Sequence, residues 1–121
     1  MSFKFDNNLP IYVQLVEQLK INIISGNLKP GDRLLSVREL ALQNQVNPNT
    51  MQKALVELED IGLIYTERTN GKFVTTDQKL IDKYKKKYAQ ELSNKFLDDM
   101  KNIGLTKEET INYLETMGGN K

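Results

Sequence analysis

The chain contains neither cysteine nor histidine. Without cysteine there is no disulfide and no thiolate zinc site. Without histidine the commonest general base and imidazole ligand are gone, and most hydrolase and metalloenzyme chemistry goes with them. An enzyme built on carboxylates stays open in principle, but no acids are spaced convincingly for it. We therefore expect no catalytic residue, no metal and no cofactor. Long apolar runs are also missing: nothing approaches the roughly 20 residues of a membrane span, and the N-terminus shows no apolar signal region. A cytoplasmic protein without a membrane partner is expected. Charge of one sign is missing too. Lysine and arginine number 17 against 16 acids, for a net charge of +1. The pI of 7.8 lies below the value above about 9 that marks a strongly basic nucleic-acid domain. Local charge matters more than the total, so a few bases on one face would still suffice for DNA.

What is present is organised by one stretch, Val46 to Gly62. Asn47 suits an N-cap and Pro48 the first helical position, where a missing N–H does no harm. Gly62 suits the stop. Met51, Ala54, Leu55, Leu58 and Ile61 form one stripe at helical spacing, to be buried. Asn49, Gln52, Lys53 and Val56 form the opposite stripe. The charge order runs against the helix dipole: no acid precedes Lys53, while Glu57, Glu59 and Asp60 crowd the far half. That leaves a positive helix end lined with amides, suited to a DNA backbone. The plain alternative is an ordinary core helix with arbitrary surface charge.

A chain of 121 residues is one domain, or one domain with a helical appendage. Phe3 and Phe5 are candidates to pack onto it. Pro10 opens a first helix, with Ile11, Leu15, Leu19 and Ile23 recurring and Tyr12 and Val16 alongside; Gly26 ends it. Pro30-Gly31 predicts a type II turn, and Leu34-Leu35 a short strand. Ser36-Val37-Arg38-Glu39 has the form of a capping box opening a second helix to about Gln43. Arg38 has no capping duty there and reads either as a ligand for DNA or as a solvated surface residue. Two short helices joined by Asn44-Gln45-Val46, the second amphipathic, form a helix-turn-helix pattern.

After Gly62 the period becomes alternating. Residues 63–68 and 72–76 flank Thr69-Asn70-Gly71, and Asn-Gly between β-branched and aromatic runs predicts a hairpin. A hairpin in this place is a wing. Arg68 and Lys72 bracket its tip, placed for phosphates or a minor groove. Asp77 caps a long helix from about Gln78 to Met100, with Ile81, Tyr84, Tyr88, Leu92, Phe96 and Met100 as an apolar seam. Lys83, Lys85, Lys86 and Lys87 lie between them, read as a solvated face. Thr106 to Glu109 form another capping box before a last helix with Ile111, Leu114 and Met117 inward, ended by Gly118-Gly119. The two-helix tail needs a partner for its apolar faces, and a second copy of the same tail is the expected one.

The expected fold is α+β, mainly α: a winged helix-turn-helix domain over 1–76 and a short two-helix dimerisation tail over 77–121. Residues 10–75 resemble the winged-helix domain of GntR-type bacterial transcription regulators. The resemblance is carried by Pro10-Ile11-Tyr12, Gly26 to Gly31, Leu34, Ser36-Val37-Arg38-Glu39-Leu40-Ala41, Val46, Thr50, Ala54-Leu55, Leu58, Gly62-Leu63-Ile64, Gly71 and Phe73-Val74. The short tail and Val46-Asn47-Pro48-Asn49-Thr50 resemble the YtrA subfamily in particular. The resemblance implies an operator-binding homodimer, often a repressor of neighbouring transporter genes. By position, the family's arginine before Glu-Leu-Ala falls on Arg38. Its Ser/Thr-Arg-x-Thr motif falls on Asn47, Pro48, Asn49 and Thr50, and a following arginine on Gln52. Two family arginines are thus replaced; Thr69 also stands for a wing glycine and Leu35 for a proline.

The expected DNA-binding residues are Arg38, Asn47, Asn49, Thr50, Gln52, Lys53, Arg68, Asn70, Gly71 and Lys72. Asn49 and Gln52 suit bidentate contact with adenine, Arg38 suits guanine or phosphate, and Thr50 and Lys53 the backbone. The expected dimer interface is Ile81, Tyr84, Tyr88, Leu92, Phe96, Met100, Ile111 and Leu114. Double-stranded operator DNA, a second copy and a small-molecule effector are the expected partners. Tyr84, Tyr88 and Phe96 line such an effector's site or simply fill a dimer core. The rival reading is a helical protein-interaction adaptor that binds no specific DNA.

Overall fold

The computed structural model describes Phe5 and residues 8–118. Phe3 and Gly119 lie outside the described residues. The order is α1 (Ile11–Ile24), α2 (Val37–Asn44), α3 (Pro48–Asp60), β1 (Ile64–Glu67), β2 (Gly71–Val74), α4 (Gln78–Asn102) and α5 (Lys107–Gly118). The chain divides into two compact units, Met1–Lys85 and Lys86–Lys121. The first two turns of α4 therefore belong with the winged-helix unit, past the boundary expected at residue 76.

In the first unit, α3 packs against α1, α2 and β1. Its inner stripe Met51, Ala54, Leu55 and Leu58 is fully buried, together with Leu15 and Leu19 of α1, Leu40 of α2 and Leu63. Each such leucine removed from water stabilises the fold by about 1.5–3 kcal/mol. Phe5 and Tyr12 pack against this core. Ile11, expected inside, is exposed; it is the first residue of α1, one turn short of where the other helices cover it.

The helix ends follow their local chemistry. Ser36 Oγ accepts from the Glu39 N–H at 3.1 Å and Glu39 Oε1 accepts from the Ser36 N–H at 3.1 Å, completing the capping box of α2. The Ser36 N–H first, and the Ser36 hydroxyl with it, hold the Glu39 carboxyl below its ordinary range. Asn47 caps α3 by accepting from the Asn49 N–H at 2.7 Å. Gly62 ends it with φ +85°, a conformation that a side chain would strain. Between α2 and α3 the corner is made by Gln45 at φ +53°, the one non-glycine residue with positive φ among those described.

The wing pairs Ile64 with Val74 and Glu67 with Gly71, antiparallel. Its tip keeps the expected three-residue length but lies one residue earlier than Thr69-Asn70-Gly71. The register leaves Arg68, Thr69 and Asn70 as a three-residue loop, and Gly71 alone carries a positive φ, +101°. Gly71 is where the chain rejoins the strand, in a conformation that favours glycine. The strand expected at Leu34-Leu35 is reduced to a single bridge between Arg33 and Phe73. Leu34 still donates to the Lys72 carbonyl at 2.8 Å, so a third, rudimentary strand edges β2.

The dimer-interface expectation is corrected at its N-terminal end. Ile81 is buried at 3% exposure in the core of its own unit and Tyr84 packs against that core. Ile81 is thus covered by its own chain, while Tyr84 is half-buried. The seam's first residue, Ile81, belongs to the core of its own unit.

The second unit holds the rest of α4 and all of α5. Asp77 caps α4 through the Leu80 N–H at 3.2 Å, and Thr106 and Glu109 form the reciprocal capping box of α5. Thr110, the one buried residue described there, satisfies its hydroxyl on the Thr106 carbonyl at 2.8 Å. Leu92, Phe96, Ile103, Ile111, Leu114 and Met117 are exposed. No helix among the described residues is long and apolar enough to cross a membrane.

Candidate nucleic-acid interface

The start of α3 is an open positive end. No acid lies in its first turn, and Asn49, Gln52 and Lys53 are exposed while Thr50 is half-buried. The Asn49 and Gln52 amides are exposed, as reading base edges requires. Asn47 has a structural duty as cap, so its acceptor is taken. Lys53 lies with its ammonium 5.2 Å from the Tyr12 ring centroid.

Arg38 is exposed in the first turn of α2, and α2 packs directly on α3. A groove of about 530 Å³ joins the start of α2 to the wing, lined by Arg33, Ser36, Glu39, Arg68 and Lys72 among others. Arg68 is exposed at the tip, and Asn70 donates to Glu67 Oε2 at 3.2 Å. Lys72 differs from expectation: it points back to α3, pairing with Glu59 at 3.2 Å and donating to Thr66 at 3.0 Å. Burial pushes Glu59 up, but Thr66 and Lys72 together bring it below its ordinary range. Lys72 is therefore an internal brace in this conformation.

Arg33 was not singled out from the sequence, yet it borders the same groove. Its Nε lies 3.5 Å from where a Cβ on Gly71 would be, and it is exposed. Its local pattern is only a base between a Pro-Gly turn and two leucines; the neighbourhood that gives it meaning is tertiary. Tyr88, Leu92, Phe96, Met100, Ile111 and Leu114 belong to the second unit.

A helix-turn-helix whose second helix has no acid in its first turn, followed by a basic-tipped hairpin, is the geometry on which comparison with known proteins turns. Residues 11–74 match the family of bacterial regulatory proteins known as the gntR family. The chain belongs to the GntR family. It is a DNA-binding transcription regulator of the GntR type, which disfavours the adaptor reading. It is similar to the HTH-type transcriptional regulator YhcF of Bacillus subtilis, 39% identical over 96% of each chain. It is also similar to the transcriptional repressor YtrA of that organism, 45% identical over 60% of this chain and 56% of that one. Among solved structures, a GntR family transcriptional regulator from Listeria monocytogenes superposes with a TM-score of 0.84 at 40% identity, covering 93% of this chain and 98% of that one. The AraR DNA-binding domain in complex with its operator ORX1 superposes with a TM-score of 0.55 at 28% identity, covering 62% of this chain and 95% of that domain.

Proposed function

We propose that this GntR regulator is a homodimeric repressor of a neighbouring operon, with transporter genes a natural target, that binds a near-palindromic operator. The observation that carries the reading is the start of α3, exposed, free of acids and flanked by Arg38 and the wing. The AraR complex shows such a domain on operator DNA for that protein, and the similarity to the repressor YtrA favours repression. Two reading helices in one dimer enter successive major grooves, about one helical turn apart. Asn49 and Gln52 favour adenine, so the half-site leans to A·T; Arg38 reads guanine or clamps a phosphate. Thr50, Lys53 and Arg68 hold the backbone, and Asn70 and Gly71 bring the wing tip close to it.

Dimerisation falls to the tail, through Tyr88, Leu92, Phe96, Met100, Ile111 and Leu114, whose exposed members need cover. A small-molecule effector acting at that interface would give the repressor its switch. The test is a mobility shift on the gene's own promoter at low and moderate salt. A shift that weakens steeply with salt supports the reading; no shift at low salt overturns it.

A further inference from the structure

We propose that Tyr12 is a positioning residue for DNA binding, keeping the Lys53 ammonium available to a DNA phosphate by holding the Glu57 carboxylate away from it. This rests on the DNA-binding reading of α3 and extends it to a residue of α1. Lys53 and Glu57 are four apart on α3, and residues at that spacing are neighbours on one helix face. Left alone they would attract each other, and the pair would present little net charge to DNA. Among the described residues neither enters an ion pair. Tyr12 engages both. Its hydroxyl donates to Glu57 Oε1, and its ring faces the Lys53 ammonium at 5.2 Å.

The two contacts act differently. The hydroxyl occupies a carboxylate oxygen, while a ring face attracts a cation through its quadrupole and leaves the full positive charge in place. Lys53 is thus steadied without being neutralised. The hydrogen bond to Glu57 also raises the Tyr12 hydroxyl above the ordinary phenol range, so it remains a donor at neutral pH. Removing only the hydroxyl frees Glu57 to turn towards Lys53, four residues before it.

The experiment uses the full chain and a duplex that the wild type has selected from a random-sequence pool. Affinity is measured across a salt series for wild type, Tyr12→Phe, Glu57→Gln, the double variant Tyr12→Phe/Glu57→Gln and Lys53→Gln. Tyr12→Phe is expected to bind roughly three- to tenfold more weakly and to lose about one unit of salt slope, as Lys53→Gln does, because one phosphate contact is lost. Glu57→Gln binds at least as well as wild type. The double variant returns to wild-type affinity and slope, a rescue that a purely structural role for the hydroxyl does not give. Thermal melting of each variant shows that the fold is intact. Tyr12→Phe binding as wild type overturns the proposal, and so does a double variant as weak as Tyr12→Phe. If the wild type selects no duplex at low salt, the DNA reading itself has failed, a result distinct from either.

Discussion

The two compact units bury their apolar side chains to very different degrees. In the first, Leu15, Leu19, Leu40, Met51, Leu55 and Leu58 are closed off from water by elements of the same chain. In the second, Leu92 keeps 66% and Leu114 47% of their surface exposed, on helices whose N-terminal caps are nonetheless made. Good capping and helical spacing can therefore make a helix without giving it a core. The first unit is stabilised from within, and the second has its helices ready and their apolar faces open.

The strongest way to break this contrast is to hollow out the first unit. Leu55→Ala is expected to destabilise it by about 2–5 kcal/mol, as large-to-small changes in closed cores do, measured by urea unfolding. The matching change Leu114→Ala, at an exposed site, is expected to leave that transition within about 0.5 kcal/mol. Equal losses would show that the tail and the winged helix are one cooperative structure.

A charge on the tail sharpens the contrast from the other side. Leu92→Asp is expected to turn the proposed dimer into a monomer in sedimentation while helical content persists. Operator affinity should fall by about tenfold or more, since linked half-sites bind with high effective concentration. A Leu92→Asp dimer of unchanged affinity would remove the tail from assembly.

Within the first unit, Arg38→Ala is expected to weaken operator binding by about tenfold, near 1.4 kcal/mol, with little change in melting temperature. Retained binding would strike Arg38 from the interface. Ser36→Ala, two residues away, is expected to do the reverse: a loss of about 1 kcal/mol in stability from the missing cap, seen in thermal melting.

The smallest effect is in pH. Glu39 is held below its ordinary range by its bonds to Ser36. A carboxyl lowered on folding stabilises above its unfolded pKa, and that contribution fades as pH falls through the folded value. Wild type should lose this increment in acid, below about pH 4.5, while Glu39→Gln shows a flatter profile over the same window. Parallel profiles would mean that the box does not couple to folding.

Much of this was legible because the signals are local. Asn47-Pro48 and Gly62 bounded α3, Ser36 and Glu39 the start of α2, and the change of period after Gly62 the wing. What was not legible depended on meetings between distant segments. Periodicity marked Ile81 and Tyr84 as apolar but could not say whether their own chain or another covers them. Lys72 read as a tip base because Glu59, thirteen positions earlier, lies beside it only in three dimensions. The corner at Gln45 takes a conformation that glycine or asparagine usually marks, and here the packing of α2 on α3 imposes it on an unmarked residue. Asn70-Gly71 announced the hairpin and the three-residue length of its loop correctly but placed it one residue late, at 69–71 instead of 68–70, and of the pair only Gly71 takes a positive φ.

The Lys72–Glu59–Thr66 brace also bears on how this protein meets DNA. Each pair in that triangle is joined, at 3.0–3.2 Å, and the three residues come from α3 and both strands of the wing. The reading helix and the hairpin are therefore set at a fixed angle before any duplex arrives. Little ordering entropy then remains to be lost on the protein side. On the proposed reading of this face, the adaptation falls on the DNA, and sequences that bend or narrow easily between helix and wing are favoured even where no side chain touches a base.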